Sequence, residues 1–284
     1  MGKSIVYNTT GRSDRGTRSG YHGSPIPREF HIVTKDDIKD INSKYFVQDV
    51  RTGKYYKTNL TIGFELEKIN LPALVEYAIF KGYERDGSLS GRNSGEAITN
   101  ILPLVPKGRL RNKVFELMFQ AERVIDSDVN NSCGGHITIC NAGTDGDELR
   151  DKVRSYMGLM FALYRGRVRN SYCNRDIRMT SGTDRYSVIG VKSGGCIEIR
   201  LPSGVPSVHS LVRRYELVFE LVDFAVNRRR INFSKYLEKC RPIVMRMYGY
   251  NEPQTDFVMS LAKDFQYYIN TGRVRDSITR WIRR

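Results

Sequence analysis

Five side chains that can bind a metal ion lie in short segments with the alternation of a β-strand. They are four carboxylates and one imidazole: Glu65, Glu67, Glu96, His136 and Glu198. Carboxylate and imidazole groups on rigid strands suit Mg²⁺ or Mn²⁺, and these ions in turn suit phosphate substrates. The set therefore favours a metal–phosphate site, provided that the separate segments meet in one sheet.

The segment 60–67 carries two of these carboxylates. At a period of two, four apolar residues point to one side and four small or acidic residues point to the other. These are Leu60, Ile62, Phe64 and Leu66 on the first side, and Thr61, Gly63, Glu65 and Glu67 on the second. Glu65 and Glu67 lie side by side and repel each other unless a cation lies between them. A solvated strand face is the alternative interpretation of this segment alone.

Three further segments show the same alternation. They are a strand at 95–101 with Glu96 on one side, a strand opened by a glycine turn that carries His136 and Thr138, and a hairpin that turns at Gly194-Gly195 and leads to Glu198 and Arg200. If all these strands share one antiparallel sheet, one face packs under helices and the other is a polar floor. Taken alone, His136 is also typical of a structural histidine, and Glu198 with Arg200 of a cross-strand ion pair.

Helical spacing of apolar residues predicts the helices that cover this sheet. The predicted helices are 71–81, 109–125, 146–165 and 207–226, followed by helical structure up to Ile282. The pattern predicts an α+β fold with an antiparallel sheet. Without an internal repeat or a linker, residues 31–284 are predicted to form a single domain, with a helical portion at about 207–284.

The composition is that of a basic globular protein. Forty-six Lys and Arg residues against 31 Asp and Glu residues give a net charge of +15, which predicts attraction to nucleic acid, nucleotide phosphates or an acidic protein surface. No apolar run approaches the roughly 20 residues needed to span a bilayer, and no secretory signal is recognisable. Residues 1–30 are rich in Gly, Ser and Arg, and are predicted to be either an arm that binds nucleic acid or a flexible tail.

The five cysteines are odd in number and scattered. They are Cys133, Cys140, Cys173, Cys196 and Cys240, and no two of them form a C-x-x-C pair. This pattern predicts reduced thiols in a cytosolic or virion protein rather than a disulfide framework or a zinc ribbon.

Several motifs occur in an order that resembles the amidoligase family. They are Gly63-Phe64-Glu65-Leu66-Glu67, Asp86-Gly87-Ser88-Leu89 with Gly95-Glu96, Cys133-Gly134-Gly135-His136-Ile137, Arg169-Asn170-Ser171-Tyr172-Cys173, Arg185-Tyr186 and Ile197-Glu198-Ile199-Arg200-Leu201. Members of this family are distant relatives of glutamine synthetase and of the glutamate–cysteine ligases, often found in phages and in bacterial modification clusters. The resemblance covers about residues 59–225.

The resemblance implies a glutamine-synthetase-like curved sheet whose polar face binds metal and nucleotide. It also implies a carboxylate–amine ligase that uses ATP and Mg²⁺ or Mn²⁺, and that forms an amide or isopeptide bond through an acyl phosphate. By match to the motifs, the metal ligands would be Glu65, Glu67, Glu96, His136 and Glu198. Arg169, Arg185 and Arg200 would bind the nucleotide or acyl phosphate, and the catalytic residues would be Arg185, Glu198 and Arg200. Asp86 is explained by its turn alone.

Two features depart from the family pattern. Many members carry His-x-His, whereas Thr138 occupies the second position here. The basic N-terminal extension and the net charge are not explained by ligase chemistry. A non-enzymatic phage structural or nucleic-acid-binding protein with the same fold is therefore the alternative. A metal-dependent nuclease would use the same ligands.

The expected partners follow from these readings. A ligase would bind a carboxylate and an amine substrate, either of which could be a peptide or protein. The basic surface would bind nucleic acid or a virion protein. No membrane partner is expected, and the sequence is compatible with an oligomer. The expected location is the cytoplasm, which for a phage-encoded protein means the host cell cytoplasm or the virion.

Overall fold

The computed structural model describes ten stretches of the chain and divides it into two compact units. The stretches are 45–48, 55–72, 77–84, 88–89, 94–99, 102–141, 144–182, 186–192, 195–228 and 230–282. The first unit comprises Met1–Gly146, Lys192–Glu198 and Ser203–Val212, and the second comprises Asp147–Val191, Ile199–Pro202 and Arg213–Arg284. The predicted extension at 1–30, Asp86 and Arg185 lie outside the described residues, and the domain boundary at residue 30 stays a prediction.

The strands form an α+β architecture with an open antiparallel sheet. In chain order they are β1 (Tyr45–Gln48), β2 (Tyr55–Thr58), β3 (Leu60–Lys68), β4 (Phe80–Glu84), β5 (Gly95–Thr99), β6 (Leu102–Pro103), β7 (Gly135–Asn141), β8 (Ile189–Lys192) and β9 (Cys196–Ile199). β1 and β2 pair separately as an antiparallel hairpin. Five strands lie in the order β4-β5-β3-β7-β9, and β6 pairs with the start of β3. The coarse fold prediction is confirmed, and the curvature implied by the resemblance stays a prediction.

Strand β3 is the centre of the first unit. It pairs antiparallel with β5 on one side and with β7 on the other. Ile62, Phe64 and Leu66 are fully buried on its apolar face, as the alternation predicts. Glu65 and Glu67 on the other face are also buried, at 4% and 6% exposure. The polar face is therefore an interior surface, and the alternative of a solvated strand face is wrong.

From residue 109 onward, the described helices follow the predicted order. They are α1 (Arg109–Gln120), α2 (Glu122–Ile125), α3 (Gly146–Arg154), α4 (Gly158–Leu163), α5 (Val208–Asn227), α6 (Phe233–Met247), α7 (Glu252–Thr271) and α8 (Thr279–Ile282), with 3₁₀ turns at Arg165–Arg167 and Asp276–Ile278. The predicted helix at 207–226 is confirmed as α5, and the one at 109–125 is interrupted only at Ala121. Among the described residues, no helix is both long and apolar enough to cross a membrane.

The predicted helix at 71–81 is wrong at its C-terminal end. Residues 73–76 lie outside the described residues, whereas Phe80–Glu84 is strand β4, paired with β5. A register shift between Phe80 and Gly82 inserts one residue into the strand. Phe80 and Tyr83 are both buried, and their ring centroids lie 5.4 Å apart. The apolar residues that predicted the helix end at Ile79, and the pairing with β5 makes residues 80–84 a strand.

The predicted helix at 146–165 is broken in its middle by Gln266. Helix α3 ends at Arg154 and α4 begins at Gly158. The Gln266 side chain donates from Nε2 to the Arg154 carbonyl at 3.1 Å and accepts the Gly158 N–H at 2.9 Å. These two backbone groups are the pair that an unbroken helix would join. The side chain of α7 therefore replaces a helical hydrogen bond, which no local pattern could show.

The prediction that all cysteines are reduced is wrong for two of them. Cys140 on β7 and Cys196 on β9 form a disulfide, with their Cα atoms 4.2 Å apart. They are 56 residues apart in the sequence, so only the adjacency of their strands brings them together. Cys133, Cys173 and Cys240 are free and buried. Burial raises the pKa of each of these three thiols.

A fully buried lysine ends strand β3. Lys68 has an exposure of 0%, and its ammonium donates to the carbonyls of Ile125, Ser127 and Val205. The neighbouring Asp126 accepts the Val208 N–H at 2.6 Å at the start of α5. Lys68 thus connects the end of β3 to the turn after α2 and to the segment before α5.

Replacement of Lys68 by Met should destabilise the protein strongly. The change leaves buried carbonyls without their ammonium donor, so we expect the free energy of unfolding to fall by about 3 kcal/mol. Urea denaturation of both proteins measures the difference. Lys113→Met is the control, because Lys113 is 44% exposed in its side chain. Equal stability of the two variants would contradict the role given to Lys68.

In the second unit, Asp176 closes the loop at 176–182. Its carboxylate accepts the backbone N–H groups of Thr180, Ser181 and Gly182 at 2.8, 2.8 and 3.1 Å. Partial burial raises the pKa of Asp176, but the N–H donors of Ser181, Thr180 and Gly182 outweigh it and hold the pKa at about 2. The ionised side chain is therefore part of the folded loop.

Loss of the Asp176 charge should weaken the fold in a pH-dependent way. The folded pKa of about 2 lies below the ordinary value of 3.8, so the stabilisation is present above about pH 4 and is lost as the pH falls toward 2. We expect the difference in the free energy of unfolding between wild type and Asp176→Asn to decrease as the pH falls over this range. Urea denaturation at several pH values measures it, with Asp276→Asn, an exposed position, as control. A gap that stays constant with pH would contradict the assignment.

Candidate metal centre

Strands β3, β7 and β9 bring together Glu65, His136 and Glu198. The β3–β7 register places Glu65 directly opposite His136. His136 Nδ1 lies 3.2 Å from Glu65 Oε2 and 3.7 Å from Glu198 Oε1. All three side chains are buried, and one ligand atom from each lies within 4.8 Å of the others. Three of the five predicted ligands therefore form one cluster.

The two distances from His136 Nδ1 are compatible with a single divalent ion. In an octahedral Mg²⁺ site the ligands lie about 2.1 Å from the ion, so neighbouring ligand atoms are about 3 Å apart and opposite ones about 4.2 Å apart. The distances of 3.2 and 3.7 Å from His136 Nδ1 lie between these values. Two carboxylates and one imidazole also leave positions for water or phosphate oxygens, which Mg²⁺ sites usually retain.

Glu67 lies at the other edge of the imidazole. Its Oε1 is 3.6 Å from His136 Nε2, and its Oε2 accepts the backbone N–H of Gly134. With the ring proton on Nε2, facing Glu67, the lone pair of Nδ1 faces Glu65 and Glu198. The Nε2–Glu67 distance is longer than a hydrogen bond, whereas Nδ1 and Glu65 Oε2 are at hydrogen-bond distance. Glu67 therefore lies beside the imidazole at more than hydrogen-bond distance, and direct ligation by Glu67 stays a prediction.

Glu96 lies beside Glu67 in the sheet. The β3–β5 register places the two residues directly opposite each other, and Glu96 is 6% exposed. The sequence predicts that the two carboxylates lie on the same face of the sheet. This register agrees, because directly opposed residues point to the same face. Ligation by Glu96 stays a prediction.

Two buried hydroxyl groups lie on the same face of the sheet. Thr61 and Thr138 are 1% and 5% exposed, and within the described part of the chain neither Oγ1 atom has a hydrogen-bond partner. Thr138 follows His136 at the period of a strand and lies opposite Gly63. A buried hydroxyl without a partner costs free energy. A polar ligand on this face would therefore have hydroxyl groups to bind.

Lys192 is a site residue that the sequence analysis missed. Its Nζ lies 2.6 Å from Glu198 Oε2, and its side chain is 27% exposed. β8 ends at Lys192, just before the turn of the predicted hairpin. The predicted hairpin could have indicated this contact, because residues that flank a short turn lie close to each other across the two strands.

The predicted arginines belong to other parts of the chain. Arg169 is exposed and Arg200 half-buried, and both lie in the second unit. Arg200 donates from Nε to the Tyr172 carbonyl at 3.4 Å. Arg185 lies outside the described residues. Contacts of these three residues with a phosphate group stay predictions.

Comparison with known proteins gives little further information. No protein-family model and no curated protein matches the sequence. Among solved structures, one of apo GmaS without ligand is similar at a TM-score of 0.37 and 10% sequence identity, covering 78% of this chain and 72% of that chain. A similarity at this level does not establish a shared fold, so the functional proposal depends on the residues themselves.

Replacement of Gly134 by Ala should disturb the metal centre selectively. A Cβ at Gly134 would lie 2.6 Å from His136 Nε2 and 3.1 Å from Glu67 Oε1, so the imidazole must move away. We expect Mn²⁺ affinity, measured by isothermal titration calorimetry, to fall about tenfold or more. Gly166→Ala is the control, because a Cβ there has nothing within 4 Å. Unchanged Mn²⁺ affinity in Gly134→Ala would contradict a role for His136 in metal binding.

Proposed function

We propose that this protein is an ATP-dependent carboxylate–amine ligase with a metal–phosphate site on β3, β7 and β9. The observation that carries the proposal is the buried cluster of Glu65, His136 and Glu198, with ligand atoms within 4.8 Å of one another. The order of motifs that resembles the amidoligase family supports the choice of reaction. Other metal-dependent phosphate chemistries would use the same ligand types, and the experiment below distinguishes them.

Each residue of the cluster has a defined task in this proposal. Glu65 and Glu198 supply anionic oxygens, and His136 supplies Nδ1, while Glu67 lies beside the imidazole. When bound, Mg²⁺ or Mn²⁺ would neutralise charge on the phosphates of ATP. Rigid strands suit this task, because phosphoryl transfer depends mainly on positioning and charge stabilisation. Arg169, Arg185 and Arg200 are proposed phosphate-binding residues on the basis of the motifs.

The proposed reaction has two steps. An oxygen of the substrate carboxylate attacks the γ-phosphorus of ATP, so that an acyl phosphate forms and ADP leaves. The amine then attacks the acyl carbon, phosphate leaves with the bonding electrons, and the amine nitrogen loses a proton. The products are an amide, ADP and phosphate.

The test measures ADP release with Mg²⁺ or Mn²⁺, with a panel of amino-acid carboxylates and hydroxylamine as the amine. We expect divalent-dependent ADP release and formation of a hydroxamate in the wild type. Glu198→Gln should reduce both by about 100-fold or more, because a lost ligand removes several kcal/mol of charge stabilisation. Glu116→Gln is the matched control, since Glu116 is 53% exposed in its side chain.

The same preparation distinguishes the competing functions. ADP release that does not depend on a divalent ion, or that Glu198→Gln leaves unchanged, would reject the ligase. Cleavage of DNA or RNA with Mg²⁺ and without ATP would identify a nuclease instead.

Nucleic-acid binding without catalysis is the second candidate, favoured by the net charge of +15. Such binding weakens steeply with salt, because each phosphate contact releases counterions. Fluorescence anisotropy with labelled DNA and RNA at several salt concentrations measures this dependence. Salt-sensitive binding that is unchanged in Glu65→Gln and Glu67→Gln, without ADP release, would support this candidate over the ligase. Absent or salt-insensitive binding would reject it.

A further inference from the structure

The two oxygens of Glu198 face different partners. Oε1 lies 3.7 Å from His136 Nδ1, on the side of the metal centre. Oε2 lies 2.6 Å from Lys192 Nζ. This distance is that of a short, charge-assisted hydrogen bond, which orients a carboxylate more strongly than a neutral one does. Glu198 itself is 2% exposed, so the carboxylate has few other orientations in its buried position.

The orientation of Glu198 matters for the choice of ion. Mg²⁺ requires a nearly ideal octahedron at about 2.0–2.1 Å and takes one oxygen from a carboxylate. Ca²⁺ binds about six to eight oxygens at 2.3–2.6 Å and commonly takes both oxygens of a carboxylate. A carboxylate whose second oxygen is held by an ammonium group offers one oxygen only.

We infer that Lys192 sets the ion selectivity of this centre by holding Glu198 as a ligand through Oε1 alone. The inference rests on the proposed function, because it needs the cluster of Glu65, His136 and Glu198 to bind a divalent ion. Lys192 is a positioning residue in this account. It contacts Glu198 and acts on the ion through it, so that Mg²⁺ and Mn²⁺ are favoured over Ca²⁺.

A purely electrostatic role of Lys192 would have a different signature. The ammonium charge repels every divalent cation, and removal of that charge would raise the affinities for Mg²⁺ and Ca²⁺ by the same factor. Release of Oε2 instead raises the affinity for Ca²⁺ more than that for Mg²⁺. The ratio of the two affinities therefore separates positioning from charge.

The experiment measures binding of Mg²⁺, Mn²⁺ and Ca²⁺ to the full chain by isothermal titration calorimetry. We expect Lys192→Met to raise the ratio of Ca²⁺ affinity to Mg²⁺ affinity about tenfold or more, the size of effect that residues behind metal ligands produce. Lys192→Arg keeps a charged donor and should stay close to the wild-type ratio. Lys113→Met controls for the loss of one surface charge, and circular dichroism checks that each variant is folded.

The outcomes separate the inference from the proposed function. If Lys192→Met binds divalent ions with the wild-type ratio of Ca²⁺ to Mg²⁺ affinity, the role of Lys192 is overturned and the proposed metal centre is retained. Absence of divalent binding in the wild type overturns both. A ratio that changes equally in Lys113→Met shows an effect of net charge and also overturns the inference.

Discussion

The antiparallel pairing of β3 with β7 is the constraint on which the candidate site depends. It places Glu65 opposite His136, and a slip by one residue would turn both carboxylates of β3 to the apolar face. Burial prevents that slip, because Ile62, Phe64 and Leu66 are fully buried on their side of the strand. The same hydrophobic packing that stabilises the first unit therefore fixes the position of the candidate ligands.

Close contacts at the end of β3 add precision to this register. Glu67 accepts the N–H of Gly134, and its own N–H donates to the Gly134 carbonyl at 3.2 Å. One residue further, Lys68 attaches the strand to three carbonyls of the same unit. Backbone and side-chain hydrogen bonds thus hold the end of the strand that carries its carboxylates. A metal centre needs such support, because small displacements of a ligand weaken binding.

The wrong predictions share one physical cause. The end of the predicted helix at 71–81 is the start of strand β4, because residues 80–84 pair with β5. The predicted helix at 146–165 is broken where a side chain distant in the sequence, Gln266, replaces a helical hydrogen bond. Cys140 and Cys196 meet only because their strands are neighbours. In each case a contact over a long sequence distance outweighed the local pattern.

The sequence alone determined the alternation of β3, the α+β class and the residue types of the candidate site, because side-chain facing follows directly from a period of two. It could not assign tasks within the site. Only the tertiary structure distinguishes Glu65 and Glu198, which face Nδ1 of His136, from Glu67, which lies toward Nε2. Only the folded hairpin brings Lys192 to Glu198. These distinctions depend on distances of a few ångströms between residues far apart in the chain, and such distances are set by strand register and packing.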